Sequence, residues 1–146
     1  MSHDNPHATE EHFMKSVGIT VWAMVSPIHG ISYEIIEGTV NSAIYHRILL
    51  EKVIPLLTQR CNQRKFYQQD GAPPHFALLV RNSLDTLLQN RWIGRSRPVP
   101  WPPRSPDLSV NDFWLWGHTR NNLYKLPRPR TVQELHEKLV SFFAKH

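Results

Sequence analysis

The sequence contains a single cysteine, Cys61, among 146 residues. One thiol excludes an internal disulfide and any zinc site built from several thiolates. The chain also lacks a long apolar run, because charged residues interrupt each hydrophobic stretch within a few positions, so no membrane span is expected. The polar start, residues 1–11, has no apolar segment typical of a signal peptide, which favours an intracellular protein.

Negative charge is scarce in the middle of the chain. Residues 60–130 carry 12 Lys or Arg against 4 Asp, whereas residues 1–59 carry 3 Lys or Arg against 6 Asp or Glu. Ten of the 12 central cations are arginine, whose planar guanidinium pairs well with phosphate oxygens. The block favours a polyanionic partner, most simply nucleic acid, and a solvated basic face is the alternative.

The hydrophobic pattern predicts an α/β chain. Val17–Val25 and Ile31–Ile36 have the composition of two strands in an antiparallel hairpin, and Thr39 or Asn41 caps a following helix. Pro55 is expected to kink or end that helix. Further helices are predicted from about Pro74 to Leu88, from Val110 to Leu123 and from Thr131 to Phe142, with short strands at 65–69 and 99–101.

Two aspartates lie where these elements begin or end. Asp70 follows the strand at 65–69, and Asp112 falls in or near the first turn of a helix. Ligand sites of open α/β sheets form at the carboxyl ends of strands, and a carboxylate there is a suitable ligand for a hard divalent cation. Asp before Gly71 also fits a turn or a helix cap, so the residues alone leave both interpretations open.

Four distinctive segments follow one another along the chain: QQDGAPPH at 68–75, RWIGR at 91–95, WPPRSPDL at 101–108 and NDFWLWG at 111–117. Together they resemble the catalytic domain of mariner-type transposases, which belong to the DDE superfamily and have an RNase H-like fold. The resemblance covers nearly the whole chain. It implies an RNase H-like mixed sheet flanked by helices over residues 1–126, followed by a linker and a C-terminal helix at 127–146.

The resemblance also implies roles for individual residues. Asp70 and Asp112 correspond to the second and third metal-binding acids of the catalytic triad, and 41 residues separate them, more than is typical of mariner elements proper. Mg²⁺ or Mn²⁺ held by these acids would act at a DNA phosphate. DNA is therefore the expected partner, with a nuclear location and no small-molecule substrate. The sequence leaves the oligomeric state open, and a homodimer is one possibility.

Several basic residues near these acids are candidates for contact with DNA. The predicted nucleic-acid-binding residues are His75, Arg91, Arg95, Arg97 and Arg104. For His75, packing with a hydrogen bond is the alternative to contact with DNA or a metal-bound water. Trp92 and Trp101 could stack on DNA or pack in the core. Core positions are expected for Trp22, Trp114 and Trp116. Asp107 is expected to cap a helix, and the nine histidines show no paired metal-ligand spacing.

The first acid of the triad is expected on a strand well before residue 17, in a Ser-Asp-Glu context that this sequence lacks. Asp4, Glu10 and Glu11 are poor candidates, because their surroundings resemble a loop that follows that strand. Since the strand is central in an RNase H-like sheet, its absence predicts an incomplete sheet and a marginally stable, inactive fragment. The alternative function is a non-enzymatic, transposon-derived DNA-binding or interaction protein.

Overall fold

The structure is a computed structural model that describes residues 19–59, 64–95, 111–125 and 127–146. Within these ranges, Asp112 and Phe113 are described by their backbone alone. The chain divides into two compact units, one from Met1–Thr39 with Pro106–His146 and the other from Val40–Ser105. Both units contain strands and helices, which confirms the predicted α/β class. No helix among the described residues is both long and apolar enough to cross a bilayer. The predicted division at residues 126 and 127 stays a prediction.

The elements follow one another in an order close to the predicted one. They are β1 (Ile19–Ser26), β2 (Gly30–Glu37), α1 (Ser42–Ile48), α2 (Ile54–Leu57), β3 (Tyr67–Gln68), α3 (Pro73–Phe76), α4 (Leu78–Leu87), β4 (Trp92–Ile93), α5 (Trp116–Leu123) and α6 (Val132–Phe143). Two π-helical turns, Leu49–Val53 and Asn111–Leu115, connect α1 to α2 and lead into α5.

In the first unit, β1 and β2 form the predicted antiparallel hairpin, paired from Ile19 with Glu37 to Ser26 with Gly30. Gly30 has a φ of +70°, a conformation that glycine adopts without steric cost. The hydroxyl of Ser26 accepts hydrogen bonds from the amides of Ile28 and His29, both at 3.3 Å. The turn residues therefore close the antiparallel hairpin that the sequence predicts.

The core of this unit lies between the hairpin and the helices α5 and α6. Its buried members are Ile19, Ala23, Leu115, Leu123, Leu135, Leu139, Phe142 and Phe143. The ring of Tyr33 stacks on Phe143 with centroids 4.3 Å apart. Trp22 is buried and Trp116 is partly buried against the core, but Trp114 is 42% exposed, so its predicted core position is wrong. Trp114 directly precedes the fully buried Leu115, and consecutive residues of a helix point in different directions.

In the second unit, the first helix begins at the predicted cap. Oδ1 of Asn41 accepts a hydrogen bond from the amide of Ile44 at 2.9 Å, which decides between the two candidate caps. Near Pro55 the helix widens into the π-helical turn, where the amide of Ile54 donates to the carbonyl of Leu49, five residues back. Proline lacks an amide hydrogen and its ring disturbs the preceding turn, and the helix ends at Leu57 soon afterwards.

The strand before Asp70 forms a parallel pair with a strand that the sequence did not predict. Tyr67 pairs with Trp92 and Gln68 with Ile93, and the amide of Gln69 donates to the carbonyl of Ile93 at 3.0 Å. The predicted strand at 99–101 lies outside the described residues. β3 therefore ends at Gln68, one residue earlier than the strand predicted at 65–69, and Asp70 follows after Gln69.

The helix after Asp70 is divided into α3 and α4, because Ala77 has extended backbone angles of −57° and 144°. The break removes helical partners from the carbonyls of His75 and Phe76. Side chains replace them: Nε2 of Gln69 donates to His75 at 2.9 Å and Nε of Arg81 donates to Phe76 at 3.0 Å. Among the apolar residues of the helix predicted from Pro74 to Leu88, Val80, Leu84 and Leu88 are fully buried, whereas Leu87 is 40% exposed.

Candidate metal and nucleic-acid site

Asp70 lies at the carboxyl end of β3, where the chain leaves a parallel strand pair. Its Oδ1 accepts a hydrogen bond from the amide of Ala72 at 3.0 Å, so the side chain stabilises the turn that leads into α3. The side chain nevertheless stays 48% exposed. The turn and ligand interpretations are thus compatible, because closing the turn engages only one carboxylate oxygen.

His75 packs directly against this carboxylate. Its Nδ1 lies 2.6 Å from Oδ1 of Asp70, although the atoms are not aligned as in a good hydrogen bond. At this distance the two groups still interact electrostatically, because such an interaction depends less on angle than a hydrogen bond does. The imidazole ring also stacks on Tyr45, with centroids 4.0 Å apart and an interplanar angle of 28°. His75 is therefore a packed residue that also contacts the candidate ligand.

The surroundings of Asp70 keep its carboxylate ionised. The contact with His75, together with the hydrogen bond from Ala72, lowers the pKa of Asp70 below its usual value, and partial burial opposes this shift. Both described contacts fall on Oδ1. Oδ2 is therefore the oxygen available to a cation, on a side chain that is negatively charged at neutral pH.

A buried network of hydrogen bonds holds His75 in position. The hydroxyl of Tyr45 donates to Oε1 of Gln69 and contacts the hydroxyl of Tyr67, both at 2.8 Å. The amide of Gln69 then donates to the carbonyl of His75. Burial raises the pKa of Tyr67 to about 12 and that of Tyr45 well above its usual value, so both phenols are neutral donors near neutral pH.

The predicted DNA-binding arginines differ in their environments. Nη1 of Arg91 donates to the carbonyls of Leu57 at 3.2 Å and Lys65 at 3.4 Å, so this guanidinium ties the end of α2 to the chain before β3. Arg95 is exposed, and its guanidinium lies over the ring of Phe76 at 4.4 Å. Arg97 and Arg104 lie outside the described residues, as do Trp101 and Asp107.

Trp92 packs in the core, which was one of its two predicted roles, the other being stacking on DNA. It is 3% exposed, and its Nε1 donates to Oδ1 of Asp85 at 3.0 Å. Gly94 is packed against it: a Cβ atom at this position would lie 2.8 Å from the Trp92 ring and 3.3 Å from Cγ of Gln69. The RWIGR segment therefore needs its glycine for close packing beside the polar network.

Asp112 lies within the π-helical turn Asn111–Leu115 that leads into α5, which agrees with its predicted place near a helix start. The neighbouring Asn111 donates from Nδ2 to the carbonyl of Ala23 at 2.9 Å, which anchors the turn to β1. The Asp112 side chain lies outside the described residues. Its predicted convergence with Asp70 stays a prediction.

Two histidines that are distant in sequence meet in the first unit. Nε2 of His118 lies 3.2 Å from Nε2 of His146, and Nδ1 of His146 contacts the carbonyl of Phe142 at 2.8 Å. The spacing of 28 residues has no local pattern that predicts this pair. The contact links α5 to the end of α6.

Comparison with known proteins identifies the type of domain. The chain is 31% identical over 117 residues to the mariner Mos1 transposase of Drosophila mauritiana, an alignment that covers 75% of this chain and 31% of that protein. The chain is a Tc/mariner-type domain of the DDE transposases. It spans about a third of the length of that curated relative. No protein-family model matches the chain.

Two solved structures resemble this transposase domain. The Mos1 transposase paired-end complex with left transposon end has a TM-score of 0.66 and 27% identity, and covers 86% of this chain and 36% of the Mos1 chain. The Mos1 mariner paired end complex with Mn has a TM-score of 0.65 and 26% identity, with the same coverage. The mariner-type resemblance read from the sequence is thereby confirmed.

Asp70 is a candidate ligand for a divalent cation among the described residues of this transposase domain. An exposed, ionised carboxylate such as Asp70 is the oxygen donor that Mg²⁺ and Mn²⁺ prefer. Among the described residues, no group of three or more His, Cys, Asp or Glu side chains could hold a metal ion. Any fuller ligand set therefore needs side chains beyond this part of the chain.

Proposed function

We propose that this transposase-type domain binds DNA and contributes Asp70 and Asp112 as ligands to Mg²⁺ or Mn²⁺ at a DNA phosphate. The observation that carries the proposal is the exposed, ionised carboxylate of Asp70 at the end of β3. The similar solved structures support it, because one is described with a left transposon end and the other with Mn. A DNA substrate would place the protein in the nucleus.

The proposed fold is RNase H-like, and in such a fold a third carboxylate comes from an earlier, central strand. A polypeptide limited to these 146 residues supplies the other two acids of the triad. We expect it to bind DNA and to bind divalent cations weakly, without cutting the strand. The alternative is a DNA-binding protein in which these acids have no role with metal.

The chain's own groups prepare the metal ligand. His75 and the Ala72 amide hold Oδ1 of Asp70, which leaves Oδ2 for a cation on a side chain that stays charged. The Tyr45–Gln69 hydrogen bond and the Gln69 bond to the His75 carbonyl fix the position of the imidazole. A bound cation would supply electrostatic stabilisation of charge at a phosphate oxygen.

Paramagnetic Mn²⁺ tests the role of Asp70 in the 146-residue polypeptide. We expect Mn²⁺ to broaden the amide NMR signals of Gly71 and Ala72, and we expect Asp70→Asn to abolish that broadening. Glu51→Gln is the matched control, because Glu51 is an exposed carboxylate of the same unit that pairs with Arg47. Equal broadening in the Asp70 variant and the wild type would refute metal binding by Asp70.

DNA binding and strand cleavage are tested separately. Fluorescence anisotropy with labelled duplex DNA should show an affinity that falls steeply as salt concentration rises, because phosphate contacts release counterions. Absence of binding at low salt would refute the DNA-binding proposal. Nicking of plasmid DNA that depends on Mg²⁺ or Mn²⁺ and disappears in Asp70→Ala would refute the expected inactivity of these residues alone.

A further inference from the structure

Two arginine side chains from different parts of the fold contact the ring of Phe76. The Cζ atom of Arg81, in α4, lies 4.3 Å from the ring centroid, and that of Arg95, after β4, lies 4.4 Å from it. Each contact is a cation–π interaction, which attracts a guanidinium to the face of the ring. Phe76 therefore holds two positive charges, each within 4.4 Å of its ring centroid.

Two like charges held on the same ring repel each other, and a bound anion would relieve that repulsion. The ion pairs described in this unit join Arg47 to Glu51 and His75 to Asp70, so neither of them neutralises the two guanidiniums on Phe76. Arg95 is exposed and Arg81 is partly exposed. The arrangement leaves positive charge accessible to an anion in solvent.

Stacking leaves hydrogen-bond donors of each guanidinium available. The plane of the group can lie against the ring while the N–H donors point outward along its edge. Nε of Arg81 is used by the carbonyl of Phe76, at 3.0 Å, so its terminal nitrogens remain for a ligand. That hydrogen bond also restricts the Arg81 side chain, which reduces the entropy lost when it binds a ligand.

The two arginines are next to the candidate metal ligand. A Cβ atom on Gly71 would lie 3.3 Å from Cδ of Arg95, so the Arg95 stem crosses the residue that follows Asp70. Phe76 itself follows His75, whose ring contacts Asp70. An anion bound by the arginines would therefore lie beside the carboxylate that is proposed to hold a cation.

We propose that Arg81 and Arg95, held on Phe76, form a clamp for a phosphate of the DNA backbone beside Asp70. The inference rests on the proposed DNA binding and adds its means: two guanidiniums held on one ring, whose donors suit phosphate geometry. Arg81 lies outside the RWIGR segment and belongs to the clamp only because the fold brings α4 over the Phe76 ring. Phe76 acts as a positioning residue.

Anisotropy titrations of labelled duplex DNA over a range of salt concentrations test the clamp. We expect Arg81→Gln and Arg95→Gln each to weaken binding about 3- to 10-fold at low salt, and to reduce the slope of log affinity against log salt by about one. Phe76→Leu keeps both charges and should weaken binding about 2- to 5-fold with little change in slope. Thermal melts verify that each variant is folded.

Arg47→Gln is the matched control, because it removes one arginine of the same unit whose guanidinium is paired with Glu51. Its effect on affinity should stay within about twofold. Arg81→Lys and Arg95→Lys keep the charge but lose the planar fork, so a loss of affinity with an unchanged slope indicates bidentate contact.

The outcomes separate the two proposals. Wild-type binding that Arg81→Gln and Arg95→Gln weaken no more than Arg47→Gln refutes the clamp and leaves DNA binding intact. Absence of wild-type binding at low salt refutes both. If Phe76→Leu unfolds the protein, a shift of the Arg95 side-chain Nε–Hε NMR signal on adding duplex DNA supports the clamp, and an unshifted signal refutes it.

Discussion

Nδ1 of His75 lies 2.6 Å from Oδ1 of Asp70, and this contact is the main reason that the pKa of Asp70 is lowered. The imidazole is held in place by Tyr45 and by the hydrogen bond from Gln69 to the His75 carbonyl. The charge of the candidate ligand is therefore controlled by residues of several elements. Each of these contacts can be removed separately.

His75→Ala should raise the pKa of Asp70 toward the ordinary value of about 3.9, because the variant lacks the largest cause of the shift. A titration of the Asp70 side-chain carboxyl carbon by NMR measures this. His46→Ala is the matched control, since His46 contacts Ser83 and not Asp70. An Asp70 pKa that is the same in His75→Ala and the wild type would show that the contact has no electrostatic effect.

The same shift predicts the acid dependence of stability. A carboxyl group whose pKa is lowered in the folded state stabilises the protein at pH values above its pKa in the unfolded chain, which is about 3.9. This stabilisation is lost as the pH falls through the pKa of the folded state. We expect the wild type to lose more stability than Asp70→Asn when the pH is lowered below about 4. Urea unfolding at several pH values measures the difference, and equal losses would contradict the prediction.

Tyr45→Phe should destabilise the second unit by about 1 to 3 kcal/mol, because it leaves the buried Oε1 of Gln69 without its donor. Tyr67→Phe is the comparison, since it keeps the Tyr45–Gln69 hydrogen bond and should cost less. Chemical unfolding monitored by circular dichroism measures both. A larger loss in Tyr67→Phe would show that the Gln69 contact is not the important one.

The raised pKa of Tyr67 predicts a loss of stability in alkali. Its folded pKa is about 12, whereas an unfolded tyrosine ionises near 10, so the unfolded chain loses its proton first as the pH rises. The stability from this group is complete below about pH 10 and is lost as the pH approaches 12. Tyr67→Phe should reduce the alkaline loss seen in urea unfolding; the same pH dependence in variant and wild type would contradict this.

Gly94→Ala should destabilise the protein by about 1 to 3 kcal/mol, since its Cβ would lie 2.8 Å from the buried ring of Trp92. Gly117→Ala is the matched control in α5, where a Cβ has no neighbour within 4 Å and alanine is the better helix former, so it should be neutral or stabilising. Thermal unfolding measures both. A neutral Gly94→Ala would show that Trp92 can move without cost.

Local sequence patterns predict those elements whose caps and turns lie beside them in the chain. The hairpin and the helix capped by Asn41 are examples, since the decisive residues are adjacent to the apolar pattern. The two-residue strand β4 could not be predicted, because its pairing partner Tyr67 lies 25 residues earlier. The break at Ala77 depends on side chains of Gln69 and Arg81 for the freed carbonyls, so a helical pattern alone conceals it.

The candidate site divides in the same way. Asp70 and Arg95 could be chosen from short motifs, because the resemblance to mariner-type transposases includes those segments. Tyr45 and Arg81 could not, since a helix before the motif and a helix after it bring them to His75 and Phe76. The structural role of Arg91 depends on the carbonyl of Leu57, which is 34 residues away.

The start of α6 offers a test of local prediction in the first unit. Oγ1 of Thr131 accepts a hydrogen bond from the amide of Glu134 at 3.1 Å, and Oε2 of Glu134 accepts one from the amide of Arg130 at 2.6 Å, an arrangement close to a capping box. Thr131→Ala should cost about 1 kcal/mol in thermal unfolding, whereas Thr131→Ser keeps the acceptor and should be nearly neutral. If both variants lose the same stability, the threonine methyl group matters more than the cap, and the capping box contributes little to holding α6 against the hairpin.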